Sequence, residues 1–356
     1  MKQFEKSKTH GNQTVYLKNA PLIVGSYSVA GRKEGKGPLG GTFNQIVDDD
    51  YFGEKTHEAA EQKMFEAAIS GAIRDAGLKA AEIDMLLSGD LLNQITSSSF
   101  AARSFDVAFV GLYGACSTMA LTLAIGACLV DAGYFSRIAV SAGSHFATAE
   151  RQYRTPLELG NERSPLSQWT VTGCGACVIS ASHERRILPR PAHSSATSVR
   201  STPRITAVTF GKVSDWGTID VNNMGAAMAP AAAATLVSHF KDTGRTPDDY
   251  DAIFSGDLGK LGETILRDLL ANANYPVDAR YSDCGRLIFG VDQNAYQGGS
   301  GCGCSAVVLN GFIMEKLRGR EYKRILFVAT GALLSPTSSY QGNTIPGIAH
   351  AIVIEN

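Results

Sequence analysis

Residues 67–91 read AAISGAIRDAGLKAAEIDMLLSGDL and residues 234–258 read ATLVSHFKDTGRTPDDYDAIFSGDL, an ungapped match with eight identities. Self-similarity of this kind constrains architecture more strongly than any single motif. Each copy has the pattern of a helix, a glycine stop, a short acidic loop and a buried strand ending in Ser-Gly-Asp-Leu. In the first copy Met64, Ala68 and Ala72, with Phe65, Ile69 and Ile73, recur at helical spacing and Gly77 follows. That pattern predicts an amphipathic helix with a glycine stop. The compact apolar runs 85–87 and 252–254, bounded by turn residues, predict strands.

A second echo lies downstream. Residues 116–143 (CSTMALTLAIGACLVDAGYFSRIAVSAG) match residues 304–331 (CSAVVLNGFIMEKLRGREYKRILFVATG) in length and layout, again helix, turn and buried strand. The chain therefore divides into halves of about 1–190 and 200–356, joined by a Pro/Ser/Arg-rich connector at 185–204. Strands alternating with helices in each half predict an α/β protein whose sheets are covered by helices. The matching order predicts a pseudo-twofold pair.

Composition sets further bounds. The 356 residues are 44% hydrophobic, enough for a core without metal or disulfide staples. Lysine and arginine number 33 against 34 acidic residues, so net charge implies no nucleic-acid or anionic-lipid partner. Seven scattered cysteines read as free thiols in a reducing compartment. Residues 1–19 are polar and lysine-rich and lack the apolar core of a signal peptide. The most apolar stretch, 224–237, is interrupted by Pro230 and falls short of the roughly 18 residues that span a bilayer. No transmembrane segment is expected.

Tyr113-Gly-Ala-Cys-Ser-Thr-Met-Ala120 places Cys116 where a loop enters an apolar helix marked by Leu121, Ile125 and Leu129. Unpaired amides and the helix dipole at such a point favour a thiolate or a bound anion. A catalytic thiol also needs a base within hydrogen-bond reach. The alternative is a small buried residue packing a tight loop.

Taken with the duplication, these residues resemble the thiolase and ketoacyl synthase superfamily over nearly the whole chain. The resemblance is carried by Asp75-Ala-Gly-Leu78 before Ile83-Asp84, Gly114-Ala-Cys116, Ala142-Gly-Ser144, Thr172-Gly-Cys-Gly-Ala176 and Gly347-Ile-Ala349, in that order. It implies a thiolase-like fold of two similar halves in a five-layer αβαβα arrangement, a homodimer, and a site between the halves. The departures concern the partners of the cysteine. Gly256-Asp257 stands where synthases carry a histidine, residues 281–310 hold none, and the loop expected to bear a second cysteine reads Tyr340-Gln-Gly-Asn343. His145 and His350 are left as neighbours for Cys116, and a histidine in an apolar strand is more often a satisfied core residue. Acid–base groups contribute about 10²–10⁴ in rate, so their loss argues against efficient Claisen chemistry.

Within the superfamily the sequence is most similar to the stage V sporulation protein AD family. The marks are the paired Ser-Gly-Asp-Leu strands, Tyr113-Gly-Ala-Cys-Ser-Thr118, Ser167-Gln-Trp-Thr-Val-Thr-Gly173, Asp283-Cys-Gly285 and Ile345-Pro-Gly-Ile-Ala-His350. The resemblance implies a non-catalytic role: binding dipicolinic acid (pyridine-2,6-dicarboxylate), alone or as its calcium chelate, for uptake into the developing spore. It further implies cytoplasmic residence in the forespore, peripheral association with the spore inner membrane, and the other membrane proteins of the stage V sporulation A operon as partners. No cofactor is implied, and calcium enters only with the ligand.

A planar dicarboxylate needs amide or hydroxyl donors and a flat apolar surface. The amides of Ser117 and Thr118 at the helix start are expected to take one carboxylate, with Tyr113 stacked on the ring and Cys116 beside it. Ser144, His145, Asn294 and Ser300 are candidates for the other side. Asp90 and Asp257, one from each half, are placed either to face a chelated calcium or to cap helices after their strands.

Three other signals are weaker. Cys174-x-x-Cys177 with Cys302-x-Cys304 lacks usual zinc spacing and reads as close packing, so no metal site is assigned. Gly298-Gly-Ser-Gly-Cys-Gly303 lacks a Walker lysine and reads as close backbone approach at the pocket wall. Residues 31–41 (GRKEGKGPLGG) read as a mobile, solvated basic loop. The rival function is an acyl-transferring, ketoacyl synthase-like enzyme using Cys116 with His145 or His350.

Overall fold

The repeated helix forms as its spacing predicts. In the computed structural model, which describes residues 9–153, 163–182 and 201–356, helix α1 runs His57–Asp75 and buries Met64, Phe65, Ala68, Ile69, Ala72 and Ile73. Thr56 caps its start by accepting from the Ala59 amide. Gly77, at φ 68°, closes its end, with the Leu78 amide reaching back 3.0 Å to the Ile73 carbonyl. This is the left-handed glycine stop expected from the sequence.

The first half contributes strands β1 (Leu22–Ala30), β2 (Met85–Gly89), β3 (Ala108–Gly111), β4 (Arg137–Ser144) and β5 (Gly173–Ser180), hydrogen-bonded in the order β1-β5-β4-β2-β3. The second contributes β6 (Arg204–Phe210), β7 (Ala252–Ser255), β8 (Tyr281–Asp283), β9 (Arg324–Ala332) and β10 (Gly347–Glu355), in the order β6-β10-β9-β7-β8. The orders are identical, and so are the strand senses. The last strand of each half runs antiparallel to both neighbours, while the outer three strands are mutually parallel. A single residue pair, Arg204 with Leu22, joins the two sheets.

Helices fill three layers around these sheets. Those that frame the site are α2 (Thr118–Asp131), α3 (Phe146–Tyr153), α4 (Met224–Thr243), α5 (Gly259–Asn272) and α6 (Cys302–Val308). Helix α1 covers the outside of the first sheet, and α4, backed by α5, covers the outside of the second. Between the sheets α2 touches β2 and β4 on one side and β9 and β10 on the other, while α6 packs on β1, β4 and β5. The result is the five-layer thiolase-like arrangement. Helix α4 continues through Pro230 for 20 residues, but no described helix is long and apolar enough to cross a membrane.

Two expectations differ from the structure in detail. Residues 31–41 are not a solvated loop: Arg32–Gly35 is a helical turn, Glu34 is buried and accepts from the Thr172 amide, and Lys33 Nζ lies 3.6 Å from the Trp169 ring centre and bonds the Gln293 carbonyl. Cys116 precedes its helix by two residues, whereas Cys304 lies two residues inside α6, so the aligned cysteines are not structural equivalents. The close-packing reading of Cys174 and Cys177 agrees with the structure: both are buried three apart on β5, on opposite faces and in different core clusters. The connector at 185–204 lies outside the described residues up to position 200.

The halves meet at van der Waals distance. A Cβ on Gly331 of β9 would stand 2.4 Å from the Gly114 carbonyl and 3.1 Å from the Ser117 amide, both backbone atoms that cannot swing aside. Gly331→Ala is therefore expected to destabilise the protein by about 1–3 kcal/mol. Equilibrium denaturation measures it, and an unchanged midpoint would mean that the Cys116 turn does not lie on β9.

Candidate functional site

Cys116 sits in a turn that satisfies itself. Ala115 adopts φ 49°, which folds the chain so that the Ser117 amide donates to the Gly114 carbonyl at 3.0 Å and the Thr118 amide to the Ala115 carbonyl at 3.2 Å. The Ser117 and Thr118 hydroxyls donate to the same two carbonyls, each at 2.6 Å. The amides that the sequence offers to a ligand carboxylate are thus already paired. Ser117 and Thr118 are fully buried, and Cys116 keeps 6% of its surface exposed.

That remaining surface faces a pocket between the halves, with about 420 Å³ of space between atoms, partly continuous with solvent. The first half supplies Leu91, Tyr113, Ala115, Cys116, Ala149, Glu150, Tyr153 and Thr170; the second supplies Met224, Ser300, Ala332 and Leu334. The walls are mainly apolar and aromatic, with hydroxyls and a thiol toward the floor, the usual character of a small-molecule site. Tyr113 and Tyr153 meet through their hydroxyls at 3.1 Å, and Tyr153 also donates to the Leu91 carbonyl. Burial raises both phenols above their usual range, so both remain neutral.

Beneath the floor lies Asp257, fully buried. Its carboxylate accepts from Thr330 Oγ1 at 2.7 Å, the Gly301 amide at 3.0 Å and Ser300 Oγ at 3.3 Å, and the Cys116 thiol lies beside it. Burial pushes its carboxyl up to about 7, against the Thr330 hydrogen bond. The same burial, reinforced by the Asp257 charge, pushes the Cys116 thiol well above its ordinary range. A thiol beside a carboxylate in a dry site is held protonated. This is the opposite of the electropositive setting that activates a nucleophilic cysteine.

The histidines bond elsewhere. His145 Nε2 lies 2.8 Å from the Asp50 carbonyl and its ring 5.1 Å from that of His57. His350 Nδ1 accepts from the Gly211 amide at 3.2 Å, and burial lowers its imidazole to about 4.

Of the residues singled out by sequence, Cys116, Tyr113 and Ser300 converge on the pocket. Ser144 does not line it: its hydroxyl donates to the Val171 carbonyl and accepts from the Gly303 amide, stitching the halves together. Asn294 is an exposed, left-handed residue outside the pocket wall. Asp90 is fully buried and accepts from the Leu92 and Ser98 amides at 2.8 and 2.7 Å, a loop cap rather than a group facing an ion. Asp257 is likewise enclosed below the floor. Sequence reasoning missed Glu150, buried in the wall with Arg163 at 3.3 Å and Thr170 at 3.4 Å, and the Tyr153 that follows it on α3. A carboxylate on the inward face of a short helix just after Ser144-His145 was the available signal.

Comparisons with known proteins bear on the family and the fold. The family model for stage V sporulation protein AD (SpoVAD) matches residues 11–355. The chain is 43% identical over 351 residues to Stage V sporulation protein AD of Bacillus subtilis (strain 168), covering 98% of each. Among solved structures, 3-oxoacyl-[acyl-carrier-protein] synthase III of Aquifex aeolicus VF5 superposes with TM-score 0.55 at 13% identity, covering 94% of this chain and 100% of that one. Cerulenin-bound OleA of Xanthomonas campestris gives 0.57 at 15% identity, covering 94% and 96%. These structural likenesses carry the fold alone.

The thiol–carboxylate contact has a chemical consequence. At pH 8 iodoacetamide should alkylate Cys116 at least about tenfold more slowly than free cysteine, and Asp257→Asn should speed it. Cysteine-resolved peptide mapping by mass spectrometry measures both rates. Alkylation of the wild-type residue at the free-cysteine rate would show that the thiol is not held protonated.

Proposed function

The chain belongs to the stage V sporulation protein AD family, and from that premise we propose that it binds dipicolinate, alone or as its calcium chelate, for uptake into the developing spore, without transforming it. The observation that carries this reading is the pairing of Cys116 with a buried carboxylate. A pocket walled by both halves is kept over Cys116, with its thiol neutral and both candidate histidines bonded elsewhere. The Tyr113 and Tyr153 rings offer flat surface to a pyridine, and the Ser300 and Thr170 hydroxyls, which donate to Asp257 and Glu150 without ligand, are the polar groups that can turn to its carboxylates.

In this reading calcium arrives only with the ligand, and the protein holds no cofactor. It works in the forespore cytoplasm, peripherally at the inner membrane, beside the other membrane proteins of the stage V sporulation A operon and without a nucleic-acid partner. A homodimer would cover the edge strand β3, where Val110 is 40% exposed.

The position of Cys116 on a pocket floor just before a helix supports a second reading, an acyl-transferring enzyme. Incubation with acyl thioesters separates the two: an acyl adduct on Cys116 by mass spectrometry supports the enzyme, and none supports the binder. Titration calorimetry tests the first reading directly. Saturable binding of dipicolinate or its calcium chelate is expected, and Leu334→Trp, which fills the rim of the pocket, should weaken it at least about tenfold, or 1.4 kcal/mol. A folded protein that binds neither form sinks the proposal.

A further inference from the structure

Asp257 touches two groups that a ligand on the pocket floor would meet, the Cys116 thiol and the Ser300 hydroxyl. The titratable groups facing it are Cys116 from the turn before α2, Asp283 at the end of β8, Cys284 behind that, and Cys304 in α6. None of these is a cation. From the remaining sides come the Thr330 hydroxyl, the Gly301 amide, and the Gln168 side chain, which donates to the Asp257 carbonyl at 2.6 Å. In the wall above stands Glu150, shared between Arg163 and Thr170. A ligand carrying two carboxylates therefore approaches a buried carboxylate through one layer of side chains, away from bulk water, where like charges repel strongly.

Resting on the dipicolinate reading, we propose that Asp257 sets the charge state the pocket accepts: a carboxylate ligand seats over Cys116 and Ser300 only when Asp257 is protonated, so that its binding takes up one proton from solvent. The ionised Asp257 accepts a hydrogen bond from the Ser300 hydroxyl and turns that donor downward. Once protonated, Asp257 donates to Ser300 Oγ instead, and the Ser300 proton turns up to the ligand. The proton taken from solvent stays on Asp257, no covalent bond changes, and the net charge brought into the site falls by one. Asp257 is thus a positioning residue, acting through Ser300 and Cys116.

The carboxyl's value near 7 makes this exchange accessible at neutral pH. A bound anion raises it further, because it disfavours the charged carboxylate. The complex therefore holds more protons than the free protein above pH 7. Affinity should be flat below that point and weaken by close to tenfold per pH unit above it.

Titration calorimetry with metal-free dipicolinate at pH 8, in buffers of low and high ionisation enthalpy, reads the proton count directly. The wild type should take up about 0.9 proton per ligand, given a free value near 7. The 1:1 calcium chelate, with no net charge, should take up far less. Asp257→Asn should bind with a flat pH profile and no such uptake. Binding of free dipicolinate without proton uptake overturns the inference but leaves the dipicolinate reading standing; so does equal uptake with the chelate, or undiminished uptake by Asp257→Asn. If that variant fails to fold, the comparison of free ligand with chelate on the wild type still decides. No binding of either form overturns both.

Discussion

The site depends on backbone from one half lying directly against backbone from the other. The Gly114 carbonyl rests on Gly331 of β9, and on the opposite side a Cβ at Gly303 would stand 2.6 Å from both the Gly173 carbonyl and Ser144 Oγ. A Cβ at Gly175 would likewise meet the Ala306 carbonyl at 2.2 Å. Side chains at these points would wedge the sheets apart, and the pocket, which draws Met224, Ser300, Ala332 and Leu334 from the second half, would lose its floor. Glycine here is a packing requirement, since interiors at native density have no slack to absorb a methyl group.

The duplicated Ser-Gly-Asp-Leu motif shows how such an interior handles charge. Asp90 commits its oxygens to the Leu92 and Ser98 amides and so closes the loop after β2. Its counterpart Asp257 has been released from that task. The amides of Leu258 and Gly259 are taken instead by Asp283, at 2.8 and 3.0 Å. That substitution frees Asp257 to turn into the seam between the halves and meet Cys116. Both carboxylates are satisfied by neutral donors rather than by cations, so burial is not offset by an ion pair and each is pushed toward its neutral form.

Periodicity made the fold legible. The stripe from Met64 to Ile73, the glycine at 77 and the Ser-Gly-Asp-Leu strands each carry a local signal, and doubling them specifies the sheet order twice. The turn at Cys116 was legible because a small-residue loop running into an apolar helix has few other uses. What the turn does with its amides was not. That Ser117 and Thr118 donate to Gly114 and Ala115 depends on Ala115 taking a left-handed conformation, which no propensity scale assigns to alanine. Leu91, Glu150, Thr170, Met224 and Leu334 come from separate stretches brought together by tertiary packing, so no spacing links them. Ser144 and His145 sit near the site in sequence but point into the seam and toward Asp50, a choice made by neighbours distant in the chain. Residues 31–41 read as solvated because their charges are local, while the Thr172 amide that receives Glu34 is 138 positions away.

The two halves share a topology yet only one presents an open helix entry. In the second half the corresponding point, residues 299–303 leading into α6, is closed from several directions. Ser144 and the Gly143 carbonyl come across from β4, and Gln168 bonds the Gly299 carbonyl from the short pairing of Trp169–Thr170 with Gly299–Ser300. In the first half the space before α2 is left by small residues, Ala115, Ala149 and Ala332, and is walled by tyrosines. One entry is thus used as mortar between the halves and the other as a cavity. Ser300 belongs to both: its backbone lies in the sealed entry, while its hydroxyl reaches the floor of the open one and bonds Asp257. In the pseudo-symmetric fold the residues that seal one half therefore help to position the groups facing the pocket of the other.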